Sequence, residues 1–371
     1  MKKLAVLLSC AFASLAASGA NLADFPRLDG ETSDSPRLAR AVASVPLGVL
    51  DIPEGRYEID STLNVANGAS LRMEITAKFV AVKPMEFMLY YDAASASKSR
   101  RNNAFISGGE FDANGLADGC VKIVNFQHFT FRDTLFRNPK KAGLTVGDAE
   151  KRGGYELVAN NLYFRNTMRG LAGNAGMQIY SGDCHFTDCI IVDYTIGIDQ
   201  RRGGSNRYTR CHVWGGPIPP AKKGGLPEML ADSICFKLSG GDTLLRDCYA
   251  DTGLIGFLVE ANTRLLGCSY FNNYKTFKMD NPVAIVHRRG TLIVSDGYFT
   301  KTSPNARLYK EEFERKGSGK LVWRDNFINR FNSEDLHLPS SVKKASDGRT
   351  WAKQNALRLK RIFCSRISPR S

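Results

Sequence analysis

The sequence predicts an all-β chain wound into a right-handed parallel β-helix, a solenoid with an N-terminal capping helix. Three observations predict it. First, one short pattern recurs four times between Gly176 and Tyr274, as Met177-Gln-Ile179-Tyr180, Ile196-Gly-Ile198-Asp199, Ile234-Cys-Phe236-Lys237 and Ile255-Gly-Phe257-Leu258. Second, a turn rich in Gly, Asp, Asn or Ser follows each copy, and a further strand-like run then reaches Cys189, Cys211, Cys248 or Cys268, at intervals of 22, 37 and 20 residues. A period of roughly 20 to 25 residues made of short strands marks a solenoid, because one repeat is too small to bury its own apolar face. Third, no 3.6-residue apolar stripe runs through the array, which excludes helical and leucine-rich repeats. About three short strands per coil fit the period, and the 37-residue interval carries an insertion around Pro217 to Glu228.

In chain order, residues 1–20 read as a secretory signal. Lys2 and Lys3 are followed by the apolar run Leu4 to Leu15 and by a small-residue site at Ser18-Gly-Ala20. A lipoprotein site at Cys10 is a weaker alternative, and no later segment is long and apolar enough to span a bilayer. The expectation is an exported, secreted or periplasmic protein without an integral membrane segment once the signal is removed. The β-helix, with its cap, is assigned to residues 21–335 and a basic tail or cap helix to 336–371. Ser33 or Asp34 can cap a helix with Pro36 in its first turn, and Leu38, Ala41, Val42 and Val45 form one apolar face. A solenoid end needs such a cap to cover its open strand edges.

Next come a strand, a Pro/Gly turn and a second strand, from Gly48 to Ile59, and then the turn-rich run from Ile106 to Gly115. Asp112 in that run is read as a partner for turn amides. Coils between 116 and 175 are less regular. Their aromatics Phe129, Phe131, Phe136 and Phe164 stand at strand spacing and are read as a core stack. Lys151 to Gly154 and Pro217 to Pro227 are insertions suited to framing a binding site. One more coil spans Val283 to Phe299, Lys320 to Phe331 supplies a last one, and Thr350 to Phe363 reads as an amphipathic basic helix.

Three of these segments resemble the pectate-lyase-like superfamily, notably its rhamnogalacturonase- and polygalacturonase-related group. Leu28-Asp-Gly-Glu-Thr-Ser-Asp34-Ser35 with Leu38 and Ala41-Val42 is similar to that group's opening G-D-G-x-T-D-D-T segment. Gly48 to Tyr57 is similar to its G-x-[VL]-x-[IVL]-P-x-G-x-Y, and Ile106 to Gly115 to its I-x-G-G-x-[IF]-D-x-N-G. The resemblance implies the β-helix fold and a carbohydrate-active protein. It carries over no catalytic residue, because the hydrolases' N-T-D, D-D, G-H-G and R-I-K motifs and the pectate lyases' Arg-x-Pro-x-x-Arg are all missing.

Strand alternation nominates the site. With Ile179, Ile198, Phe236 and Phe257 inward, Tyr180, Asp199, Lys237 and Leu258 share one outward column. Tyr180, Asp199 and Lys237 are the candidate catalytic residues. Arg201, Arg202, Glu260, His287 and Arg288, with Arg289 beside them, lie at the same edge as candidate substrate-binding residues. A cation beside Asp or Tyr suits a polyuronate lyase, which must neutralise a carboxylate and move the C5 proton. A glycoside hydrolase needs two carboxylates about 5 to 10 Å apart, which Asp199 and Glu260 approach only across two coils. An Asp199–Lys237 surface ion pair without function is the plain alternative.

The expected partner is a polysaccharide or oligosaccharide, and the expected function is a lyase or hydrolase acting on it, with a non-catalytic carbohydrate-binding β-helix as the alternative. Nucleic acid is not expected. Nine Lys or Arg against one Asp give the stretch from Lys343 onward +8 of the chain's +14, so the basic balance belongs mostly to the tail. Phosphate-loop and nucleotide-fingerprint motifs are missing. Neither Cys-x-x-Cys pairs nor an EF-hand loop occurs, so no cofactor or metal site is assigned, with calcium on loop carboxylates left open. The four ladder cysteines are read as stacked, buried thiols rather than bridges. The sequence does not fix an oligomeric state.

Overall fold

The computed structural model describes residues 19–339, apart from 93–102, 151–152, 169, 219–222, 224, 226–227, 273–277, 314 and 316–317. Residues 1–18 of the expected signal and the expected amphipathic segment from Thr350 to Phe363 lie outside the described residues. Within them the chain is the predicted right-handed parallel β-helix. Each coil contributes one strand to each of three parallel sheets, of twelve, eleven and ten strands. Thr130–Arg132, Leu135–Arg137 and Ala142–Val146 are one such coil, passing from the first sheet to the second and then the third. Ala20–Asn21 already pairs with Leu50–Asp51 in the first sheet.

The corner between the first two sheets explains the cysteine pattern. A single residue turns the chain there in the left-handed region, with φ between 48° and 57° at Asp133, Asn161, Asp188, Arg210, Asp247, Asp296 and Asp325. Asn and Asp tolerate that region because their short side chains bond locally. The next position points into the core and is Cys189, Cys211, Cys248 and Cys268 in successive coils. All seven described cysteines are free and buried. The aromatic run is core too: Phe136 and Phe164 stack with centroids 4.5 Å apart and rings 6° from parallel.

The N-terminal cap is the helix Ser35–Ser44, whose Leu38, Ala41 and Val42 are buried. Asp34 occupies its N-cap position, but its side chain does not cap the helix's free backbone amides. Its carboxylate accepts from Arg27, Arg37 and the Glu58 amide, and so ties the cap to the first complete coil. The insertion near Pro217 forms a short antiparallel ribbon, Pro217–Ile218 against Glu228–Met229. The last coil uses Gly319–Arg324 and Phe327–Asn329 and is followed by the helix Ser333–Leu336.

In the third sheet two successive residues of a strand face inward. Gly197 and Ile198 show this: a Cβ on Gly197 would sit 2.2 Å from the core side chain of Val213, while Ile198 is itself core. Cys235–Phe236 and Ala284–Ile285 in the same two columns are both core pairs. The strand therefore bends around the core. Its preceding column, including Ile196, Ile234 and Val283, turns outward and packs with Leu258 and Val286 in a separate apolar cluster.

Candidate functional site

The outer face of the third sheet carries the polar rows. Register stacks Gln178, Asp199, Lys237 and Leu258 in one column, with Lys122 and Thr145 before them. Asp199 and Lys237 are thus neighbours, as alternation predicted. Leu258 also lies in this column, but it is buried in the outer apolar cluster rather than displayed. Tyr180 is not in it. Met177, not Ile179, pairs with Ile198, so the column is offset by two residues and Tyr180 stands one position past the strand end. Main-chain bonds place Tyr180, Arg201, Ser239, Glu260, Arg288 and Glu312 in a second row along the sheet's exit edge.

Asp199 is fully covered, with its side chain at 0% exposure against 41% for Arg201 and 30% for Lys237. Its Oδ2 accepts from Arg201 Nε at 2.6 Å, and Lys237 Nζ lies 3.8 Å from Oδ1. The expected open surface pair is therefore a buried carboxylate roofed by two cations. Arg201 extends onward and donates to Tyr180 Oη at 2.9 Å, its guanidinium 5.7 Å from the ring centroid. Burial pulls the Arg201 guanidinium down, but its bonds to Asp199 and Tyr180 outweigh that and raise it. Arg202 donates to the Ala149 carbonyl at 2.8 Å and ties the turn after Val146 to the next coils.

Glu260 accepts from Arg288 at 2.8 Å on one oxygen and from Ser239 at 2.6 Å on the other. Burial would raise its carboxyl, yet these bonds hold it below the usual range. Arg288 also reaches Glu312 at 3.1 Å. Two coils and two residues separate Asp199 from Glu260, about 12 Å between backbones from standard strand spacings. With every oxygen of Glu260 engaged and Asp199 covered, the two do not form a hydrolase pair.

His287 lies inside the coil rather than on its edge. Sequence reasoning placed it beside Arg288 on the exposed edge, but it ends the strand Val283–His287 in an inward column and is fully buried. Its Nε2 donates to the Gly290 carbonyl at 2.9 Å, and its Nδ1 accepts from Tyr309 Oη at 2.9 Å, the one arrangement that a neutral ring allows with a carbonyl acceptor. Burial pushes its pKa down, which keeps it neutral.

Two clefts open on this face. One, of ≈ 260 Å³, lies over Glu86, Phe87, Asp118, Lys122, Thr145 and Gln178. The other, of ≈ 600 Å³, lies over Gly153, Gly154, Tyr155, Ser181 and Arg202. They meet at Asp148 and Tyr180, which line both. Lys122 Nζ stands 3.5 Å from Asp148 and 5.4 Å above the Phe87 ring. Sequence reasoning missed Lys122, Asp148 and Gln178. Asp148 follows the strand end Val146 by the offset at which Arg202 follows Gln200, a match that only the strand register reveals. No group of three or more His, Cys, Asp or Glu among the described residues is placed to hold a metal ion.

No family model and no curated protein matches the chain. Its likeness is to solved structures of the same fold. A Geobacillus virus E2 protein, ORF18, is 16% identical at a TM-score of 0.56, over 84% of this chain and 61% of that one, so the chain spans about three fifths of its length. The surface adhesin PfbA of Streptococcus pneumoniae is 10% identical at 0.60, over 84% and 90%. An endo-xylogalacturonan hydrolase of Aspergillus tubingensis is 12% identical at 0.52, over 88% and 97%. An alginate lyase from Paenibacillus and a tailspike of E. coli bacteriophage HK620 in complex with a hexasaccharide share the fold as well. Carbohydrate-active enzymes and saccharide-binding or adhesive β-helices thus stand among its structural neighbours. No helix among the described residues is long and apolar enough to cross a membrane.

Proposed function

We propose that the protein is exported, binds a uronate-containing polysaccharide across the outer face of the third sheet, and cleaves it by β-elimination. One observation carries the reading: Tyr180, its hydroxyl held by Arg201 at 2.9 Å, stands with Asp148 where the two clefts meet, beside the cations gathered on Asp199. A uronate carboxylate placed against Arg201 and Lys237 would have its charge neutralised, which stabilises the carbanion that forms when C5 loses its proton. Asp148 is the carboxylate at the junction that can take that proton. The electron pair closes the C4–C5 double bond as the C4–O bond breaks, and Tyr180 gives its proton to the leaving oxygen. Asp199 then serves as the buried anchor that keeps both cations in place. Two proteins of this fold are named as an alginate lyase and an endo-xylogalacturonan hydrolase, so the scaffold is compatible with lysis or hydrolysis.

A second reading is saccharide binding without cleavage. The engaged state of Asp199 and Glu260 favours it, because both carboxylates are already committed to cations. Incubation with pectic, alginate and glycosaminoglycan chains separates the two. Ultraviolet absorbance of unsaturated ends, lost in Tyr180→Phe and Asp148→Asn, is the expected result. Reducing ends without that absorbance would show hydrolysis instead, and binding with no product would leave the second reading.

A further inference from the structure

The second sheet carries a different feature on its outer face. Register aligns His212, Tyr249, Ser269, Tyr298 and Phe327 in one outward column across five successive coils. His212 and Tyr249 stack with centroids 4.8 Å apart and planes within 11°. Tyr298 and Phe327 stack at 5.2 Å and within 5°. Between the two pairs stands Ser269, too small to continue the stack. Tyr249 and Tyr298 are therefore two coil spacings apart, about 9.6 Å, with one ring missing between their faces. A cavity of ≈ 500 Å³ lies at this gap, lined by Tyr249, Ser269, Phe271, Tyr298, Thr300 and Asn329 among others. That volume is in the range of small-ligand sites, which combine aromatic walls with a few polar groups.

We propose that this gap is a second saccharide site that clasps one pyranose ring between Tyr249 and Tyr298. The width admits one ring-thick group with a face against each tyrosine. The polar groups decide which group it is. Ser269 and Thr300 present hydroxyls, and the Asn329 amide lies 3.5 Å from Tyr298 Oη. A pyranose offers C–H faces to the two tyrosines and hydroxyls around its edge to these groups. An aromatic side chain would leave the same groups facing carbon, at the cost of unmade hydrogen bonds. A cation gains little here: Asp251, the carboxylate in the adjoining column, already accepts from Thr252 at 2.6 Å and lies 3.4 Å from His212. Tyr298 is 42% exposed, so a sugar can reach it. The site lies on the second sheet, apart from the groove, and does not rest on the lyase reading.

Saturation-transfer NMR on the full chain with the neutral probes maltotriose and cellotriose tests this. At least one probe should receive saturation on its axial C–H protons. Ser269→Tyr supplies the missing ring and should weaken that binding at least tenfold while the melting temperature holds or rises. Tyr298→Ala removes one wall and should weaken it by a similar factor. Tyr180→Ala, in the groove, should leave it in place. The proposal is overturned if no probe is saturated, if Ser269→Tyr and Tyr298→Ala bind as the parent does, or if Tyr180→Ala alone abolishes all binding. That last outcome would assign the saccharide to the groove and leave the lyase reading standing.

Discussion

Replacing Asp199 by Asn tests whether the charged cluster is a structural anchor or an idle surface pair. The change keeps shape and removes one charge. An exposed ion pair contributes less than about 1 kcal/mol. Here the carboxylate is fully covered while Arg201 and Lys237 keep 41% and 30% of their side chains in water. After the substitution both cations can hydrate, so neither is stranded. The cost arises at position 199 itself. The 2.6 Å bond from Arg201 loses its ionic strengthening, which is about half of a charge-assisted bond. If the amide oxygen stays on Arg201, the NH2 group faces the Lys237 cation with no acceptor, and a buried donor without a partner costs about 1–3 kcal/mol. Together these give a destabilisation of about 2–4 kcal/mol. Urea unfolding followed by circular dichroism should show a lower midpoint at an unchanged m-value. In a Lys237→Gln background the same change should cost about 1 kcal/mol less, because the unfavourable facing pair is gone. A loss below about 0.5 kcal/mol in the parent, or no coupling to Lys237, would refute the buried-anchor reasoning.

Gly197→Ala should destabilise by about 2 kcal/mol or more, because its Cβ would meet Val213 at 2.2 Å and the Cys235 carbonyl at 2.6 Å. Gly241→Ala, with nothing within 4 Å, should instead stabilise by about 0.5 kcal/mol; equal effects in denaturant melts would contradict the close approach of the coils. The Asp60 carboxyl is held down to about 2 by Ser33, then Lys83. Its folded pKa lies below its unfolded one of 3.8, so its contribution is full above pH 4 and is lost as pH falls toward 2. With solvent screening the contribution is about 1 kcal/mol, and Asp60→Asn should flatten that part of the stability–pH curve. Burial pushes the Cys120 thiol far up and the Cys184 thiol to about 12. All seven described cysteines are buried, and for lack of access they should resist a thiol reagent in the native protein and react only on unfolding; fast native labelling at any of them, located by mass spectrometry, would disagree.

The coil array was legible because its signal is local and repeated. A turning residue recurs once per coil, an inward cysteine follows it in four successive coils, and the intervals of 20 and 22 residues record that. The site was legible only in part. Alternation tells inside from outside but not an offset of two, since both keep the same parity; hence Asp199 and Lys237 align while Tyr180 falls two residues out of register. The doubled inward pair at Gly197 and Ile198 breaks alternation, and nothing in a glycine announces which way it faces. His287 has a sequence neighbourhood of cations, Arg288 and Arg289, which suggests an edge, but the strand turns it inward before the edge begins. Asp148 and Lys122 sit in coils whose repeats are too irregular to align without the register.

The stacked register also makes the molecule a measuring stick. Every column repeats at the distance between hydrogen-bonded strands, about 4.8 Å, which is close to the length of one sugar in an extended chain. A polymer lying along the helix axis would meet a fresh rung of side chains with each residue. Sliding by one sugar exchanges every contact for the one above it. Preference for a given monomer can then be rewritten rung by rung, without disturbing the spine that sets the pitch.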